Sequence, residues 1–185
     1  TFGDIYIERG HNEVSDYVRD LSLDSASAHV RYSLDGIDYR REYLVSYPDR
    51  VLAVRFTAEK DGMPAAGNLS FTVRPEIPFV KDYCIRPGDG CGRTGEILTG
   101  EDRLTMRGIS LYYQIQYEGQ VRVMVKGGSV SYTDGKAVIR EEDEAVLYFS
   151  CGTNYHMESR VFDESDPKKK LAPYPSPHDA VSAYV

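Results

Sequence analysis

The side chains of this 185-residue sequence that could do chemistry are its three cysteines, four histidines and 29 acidic residues. Cys84 and Cys91 bracket residues 85–90, a stretch rich in Gly, Asp and Pro. A disulfide between them would close a small loop and suit an oxidising compartment, and two free thiols fit the same spacing. That spacing matches no zinc-ligand pattern and no histidine lies nearby, so no metal site is expected there. Cys151 ends an apolar run and reads as a core thiol. His11, His29, His156 and His178 are scattered and read as surface or loop residues; His29 alternates as an outward strand residue, and His156 follows a strand end and could face a cleft. There is no G-x-S-x-G elbow, and a pairing of Cys151 with His156 would rest on nearness in sequence alone.

Glycoside hydrolysis would need two carboxyl groups flanking one bond, about 5–9.5 Å apart, a distance that sequence does not supply. Glu141-Glu142-Asp143-Glu144 precedes an apolar strand and reads as a solvated turn. The loop Lys81 to Gly95, with Asp82 and Asp89, could line a site or bind a cation, but it lacks the regular Asp spacing of an EF-hand. Residue chemistry alone therefore yields no catalytic constellation, and no catalytic residue, cofactor or metal is expected within this chain.

The elements that would position these groups are strands. The chain has 15 Tyr and 6 Phe but no Trp, with 16 Gly and 9 Pro; aromatic residues favour strands, and Gly and Pro punctuate turns. Ala28, Val30, Tyr32 and Leu34 alternate with polar residues. After Asp35-Gly36, Ile37, Tyr39, Tyr43 and Val45 share one face, which is the pattern of a hairpin. Further strands are expected at Val51–Ala58, Leu69–Val73, Leu104–Met106, Leu111–Tyr117, Val121–Val125, Val130–Tyr132, Ala137–Arg140 and Ala145–Phe149, with a turn at Glu118-Gly119. No helical period of ten or more residues precedes Ser176. Roughly a dozen short strands exceed the seven of an immunoglobulin-type domain, so the expected fold is all-β, a large two-sheet antiparallel β-sandwich. Lys168-Lys169-Lys170 reads as a solvated loop.

Charge and hydropathy exclude some functions. The formal net charge is −7, and a mildly acidic chain without a basic stripe is a poor match for phosphate-backbone binding, so no nucleic-acid partner is expected. The longest fully apolar run, Ala145 to Phe149, is far short of the ~20 residues that span a bilayer, so no membrane partner is expected. The sequence opens inside a strand-like alternation and shows no signal peptide. Residues 171–185 read as a Pro-rich linker followed by a helix start, with Ser176 as N-cap and Pro177 at the first helical position. The six residues after Asp179 are too few for a stable helix alone. The expectation is a β-sandwich at residues 1–170 and, at 171–185, a linker and truncated helix leading to an absent domain. A frayed tail docked on the sandwich is the alternative.

One set of motifs is more specific. Asp4-Ile5-Tyr6, Tyr17-Val18-Arg19-Asp20-Leu21-Ser22-Leu23-Asp24, Tyr39 with Arg41-Glu42, and Ser46-Tyr47-Pro48-Asp49-Arg50-Val51 resemble the N-terminal β-sandwich of glycoside hydrolase family 95, which contains α-L-fucosidases and α-L-galactosidases. Gly127-Gly128 and the run from Ala145 to Tyr155 resemble the last strands of the same domain. The resemblance implies that a helical linker and an (α/α)6 barrel follow, that the barrel holds the carboxylates of an inverting mechanism, and that none of them lies in this chain. Its implied partners are the chain's own downstream catalytic barrel and the oligosaccharide substrate of the full-length enzyme, in the periplasm or outside the cell. It also implies that an edge strand near Thr1 is absent or exposed. The loop Lys81 to Gly95 lies where the family varies in length, so no role is carried over to it; its reaching the rim of the sugar site is a separate hypothesis. The motif residues themselves have structural readings: Pro48 must break the sheet, and Arg41-Glu42 suits cross-strand pairing. The second function to weigh is a stand-alone carbohydrate-binding sandwich, in which Tyr would have to serve as the aromatic platform.

Overall fold

The computed structural model describes residues 2–78, 92–111 and 113–185. Among them are eleven strands, all paired antiparallel: β1 (Asp4–Glu8), β2 (Ser15–Ser22), β3 (Ser27–Leu34), β4 (Ile37–Ser46), β5 (Val51–Lys60), β6 (Met63–Pro64), β7 (Leu69–Glu76), β8 (Arg93–Thr99), β9 (Leu104–Ser110), β10 (Ile115–Thr133) and β11 (Lys136–Thr153). Three one-turn helices follow: α1 (Ser159–Asp163), α2 (Pro167–Lys170) and α3 (His178–Ser182).

The expected Asp-Gly hairpins form. Asp35 and Gly36 both have positive φ (52° and 75°), as do Asp134 and Gly135 (48° and 72°). Two successive left-handed residues give the tight turn whose twist matches that of the flanking strands.

The architecture depends on the β10–β11 hairpin, which is paired from Tyr117↔Thr153 to Thr133↔Lys136. Residues 144–149 of β11 pair on their other side with β5, whereas residues 137–142 pair with β7. The hairpin thus crosses from one layer into the other. The wider layer runs β2-β3-β4-β5-β11-β10-β9-β8; the narrower one adds β7 and then β1 to the far half of the hairpin. The crossing point is a bulge, where the register shifts between Lys126 and Gly127 and again between Ile139 and Glu142. Gly127 takes φ 110° there, and a Cβ on Gly128 would lie 2.1 Å from the Arg140 carbonyl oxygen. A side chain at that corner would push the two strands apart.

Alternation along each strand sends one set of side chains between the layers. Val54, Phe56 and Ala58 from β5 meet Leu69, Phe71 and Val73 from β7, and the Phe56 and Phe71 rings lie 4.4 Å apart. Val121, Val123, Ala145, Leu147, Ala137 and Ile139 complete this core from the hairpin. Ile77, Met106 and Tyr117 form a second cluster, against which the Phe2 ring packs edge-on to Tyr117. Among the described residues β1 pairs only with β7.

Several expectations fail, each for a physical reason. Glu118-Gly119 is not a turn; it lies inside β10, paired with β11 on one side and β9 on the other, and the glycine there leaves room for the Phe2 and Phe149 rings, which a Cβ would approach to 2.8 and 2.9 Å. Leu111 and Tyr113 fall in the turn before β10 and not in a strand. Glu141–Glu144 is not a solvated turn: the bulge rotates Glu142 inward, where it is fully buried. Cys151 is exposed and not in the core, because alternation turns its neighbour Ser150 inward instead. Lys168–Lys170 forms α2, capped by the Asp166 side chain on the Lys168 N–H, and Lys170 Nζ donates to the Val161 carbonyl at 2.6 Å. The Cys84–Cys91 pair, Asp82 and Asp89 lie outside the described residues.

Candidate functional site

The segment after β11 folds back onto the sandwich. Val161, Leu171 and Val181 are buried, and α3 packs on β10 and β11. Gly152 leaves the room for this, since its Cβ would lie 3.2 Å from a Val181 methyl. The helix starts one residue later than the sequence indicates: Pro177 occupies the N-cap, and the Ser176 hydroxyl accepts from the His178 N–H at 3.3 Å.

Between α3 and strands β8, β9 and β10 lies an open cleft of about 590 Å³. Its central group is Glu118, only 3% exposed. Oε1 of that carboxylate accepts from Gln120 Nε2 at 2.8 Å and from His178 Nδ1 at 2.7 Å. A carboxylate only accepts, so Nδ1 carries the imidazole proton in this pair. Gln120, also buried, donates from the same nitrogen to Ser182 Oγ at 2.7 Å and accepts from Arg103 Nη1 at 3.0 Å. Arg103 Nη1 also donates to the Val185 carbonyl at 2.9 Å. Asp102 faces Arg103 and Arg122, and the Arg103 guanidinium, with Arg122 adding to it, holds its carboxyl below the usual range. On the other wall, Arg107 Nε donates to Glu96 Oε1 at 2.7 Å. Tyr117, on the floor, donates its hydroxyl to the Thr94 carbonyl at 2.5 Å.

This network satisfies buried polar groups and fastens a short helix. The two acids that line the cleft, Glu96 and Glu118, are each engaged in these pairs. As arranged, the residues clamp the C-terminal segment; they do not present a free acid beside a free base.

The remaining sequence candidates are dispersed. His29 is half-buried and bonded to Asp20 Oδ1 at 2.7 Å. His156 stacks on Tyr174 at 4.0 Å between ring centres. His11 accepts from or donates to Tyr32 Oη at 2.9 Å and packs edge-on to Tyr39. His178 reaches a buried acid in a cleft, and sequence reasoning read it as a surface residue, because its partner lies 60 positions away. Glu42 pairs with Arg40 and Arg55, whereas Arg41 makes no ion pair among the described residues. No group of three or more His, Cys, Asp or Glu side chains among the described residues is placed to hold a metal ion.

Comparison with known proteins adds the family. Residues 1–158 match the family described as "Glycosyl hydrolase family 65, N-terminal domain". Among curated proteins the chain is similar to alpha-L-fucosidase 2 of Arabidopsis thaliana, 28% identical over 169 residues, which is 83% of this chain and 19% of that protein. Among solved structures it is similar to a chain described as a kojibiose phosphorylase from human microbiome, with a TM-score of 0.52 and 12% identity over 97% of this chain and 24% of that one. The second likeness shows the fold alone. The chain spans about a fifth to a quarter of the length of these two proteins.

Proposed function

Because the chain belongs to the glycosyl hydrolase family 65 N-terminal domain family, we propose that it is the non-catalytic N-terminal β-sandwich of an α-L-fucosidase-like hydrolase. The single observation that carries the fucosidase reading is the 28% identity to alpha-L-fucosidase 2, which runs through 83% of the chain. The motif resemblance to glycoside hydrolase family 95 supports the same reading. The family numbers differ, 65 by the whole-chain match and 95 by the motifs, and a glycoside-hydrolase N-terminal sandwich is common to both.

In this reading the sandwich supports a downstream (α/α)6 barrel, which cleaves terminal glycosidic bonds with inversion. Export to the periplasm or beyond the cell belongs to the same proposal. The clamped C-terminal segment is consistent with a scaffold role: α3 is fixed to β10 through Glu118 and Gln120, and Val185 to the β8–β9 turn through Arg103, so a polypeptide continuing from Val185 would leave in a set direction.

The carbohydrate-binding alternative is separated by titrating fucosylated oligosaccharides into the isolated chain in a calorimeter. The scaffold reading expects no saturable heat at millimolar sugar. A saturable isotherm would replace it with the binding-module reading.

A further inference from the structure

The wider layer extends past the edge of the narrower one, so no described residue covers the core-facing side of β2, β3 and β4 at its outer end. Register shows which side chains stand there. Arg19 and Leu21 of β2 lie opposite Val30 and Ala28 of β3, which lie opposite Arg41 and Tyr43 of β4. Farther in, Arg41 and Tyr43 lie opposite Phe56 and Val54, the core residues of β5. With Tyr17, these side chains line a groove of about 720 Å³. The face continues to Val45, 70% exposed, and to Tyr47 in the turn after β4, 91% exposed; Leu21 is 67% exposed. Contiguous apolar side chains on a soluble protein mark an interface.

The charges on this face are one-sided. Among the described residues, Arg19 and Arg41 have no carboxylate within ion-pair distance, and Arg41 Nε is sealed from water without a hydrogen-bond partner. Deeper on the same side, and again among the described residues, Arg9 Nε and Nη2 are sealed without a partner. Its Nη1 reaches only the Tyr32 hydroxyl, and its guanidinium sits over the Tyr39 and Phe71 rings at 4.7 and 5.5 Å. The acid at the rim, Asp20, is held by His29. On the opposite face of the sheet Arg40 and Arg55 pair with Glu42, and Arg55 also with Glu144. Two arginines on this face, Arg19 and Arg41, thus have no ion-pair partner among the described residues, and carboxylates on a docked surface would neutralise them.

The exit of the chain is adjacent. The Arg50 N–H closes the turn on the Tyr47 carbonyl at 3.3 Å, and the Arg50 guanidinium lies 5.7 Å from the Tyr184 ring. Polypeptide continuing from Val185 would begin beside the Tyr47 end of this face.

We propose that the uncovered face of β2, β3 and β4 is the docking surface for the downstream catalytic domain of the same polypeptide, which meets it with an apolar surface carrying carboxylates opposite Arg19 and Arg41. This rests on the N-terminal-domain reading above. The test uses the full-length protein with a specific protease site placed after Val185, cut once folded, so that association of the two halves is read by gel filtration and by dissociation constant. The Arg19→Glu/Leu21→Asp pair should weaken association at least about ten-fold, whereas Met124→Asp, on the other side of the sheet, should leave it within two-fold. Both sites are exposed, and unchanged circular dichroism of the isolated 185-residue variant checks folding; Tyr47→Ser, in a turn, is the second variant should the pair not fold. Association unchanged in the variants while the wild-type halves bind would overturn the docking face alone. Wild-type halves that do not associate would overturn this docking face and leave the N-terminal-domain family, which rests on the match over residues 1–158, in place. Patch-dependent association in a protein inert on fucosides would keep the face and remove the fucosidase assignment.

Discussion

Phe56→Ala should destabilise the isolated chain by about 3–5 kcal/mol, the range for emptying an aromatic site in a core that relaxes only partly. Phe56 has no exposed surface and stands where β5 of the wider layer meets β7 of the narrower one. Its ring lies against that of Phe71 at 4.4 Å, so the truncation removes both the burial and an aromatic contact that spans the layers. A domain of this size loses roughly 2–4 °C per kcal/mol, which places the expected fall in melting temperature at about 6–20 °C. Thermal unfolding followed by circular dichroism measures it. A fall of less than 2 °C would mean that the two layers do not share this core.

The second large effect concerns Glu142. Both of its carboxylate oxygens are sealed from water, and among the described residues neither has a well-aligned hydrogen-bond partner, the Gly128 amide being a weak contact. Burial pushes its carboxyl above the ordinary value, the neighbouring Asp143 adds to this, and the Gly128 amide offsets part of it. A carboxyl raised in the folded state holds its proton there when the unfolded chain has already released it. Stability therefore falls as pH rises from the ordinary carboxylate range through the raised folded value, and is level above it. Glu142→Met, close in volume and without charge, should stabilise the chain by about 1–3 kcal/mol at pH 8, where an unpaired buried polar group costs most, and by less at pH 4.5. Glu142→Gln should flatten the pH dependence with a smaller gain. Urea unfolding at the two pH values decides this. An unchanged or lower midpoint for Glu142→Met at pH 8 would show that the carboxylate finds a partner that stabilises it.

The sequence made the strands legible wherever alternation and turn chemistry were both local. Asp35-Gly36, Asp61-Gly62 and Asp134-Gly135 all take the left-handed pairs that such turns need, and Val30, Tyr32, Val54 and Phe56 face the core as their spacing indicates. What it obscured was set by partners distant in the chain. Glu118-Gly119 looks like a turn until Phe2 is seen to fill the space over Gly119. Glu141–Glu144 looks solvated until the bulge against β7 and Gly127 turns one of its four acids inward. The meeting of Glu118 with His178 joins positions 60 residues apart, with no periodic signal to announce it. The motifs that carried the family resemblance read as scaffold, and Tyr17, Arg19, Leu21 and Tyr47 become an exposed face only when the two layers are seen to differ in width.

The most direct test of the account is turnover of an aryl α-L-fucoside, measured in parallel for the purified 185-residue chain and for the full-length protein, each with and without a fucose-site inhibitor. The account predicts inhibitable hydrolysis by the full-length protein and none above background by the chain alone. Inhibitable turnover by the chain alone would contradict it, and so would a full-length protein that leaves the fucoside intact.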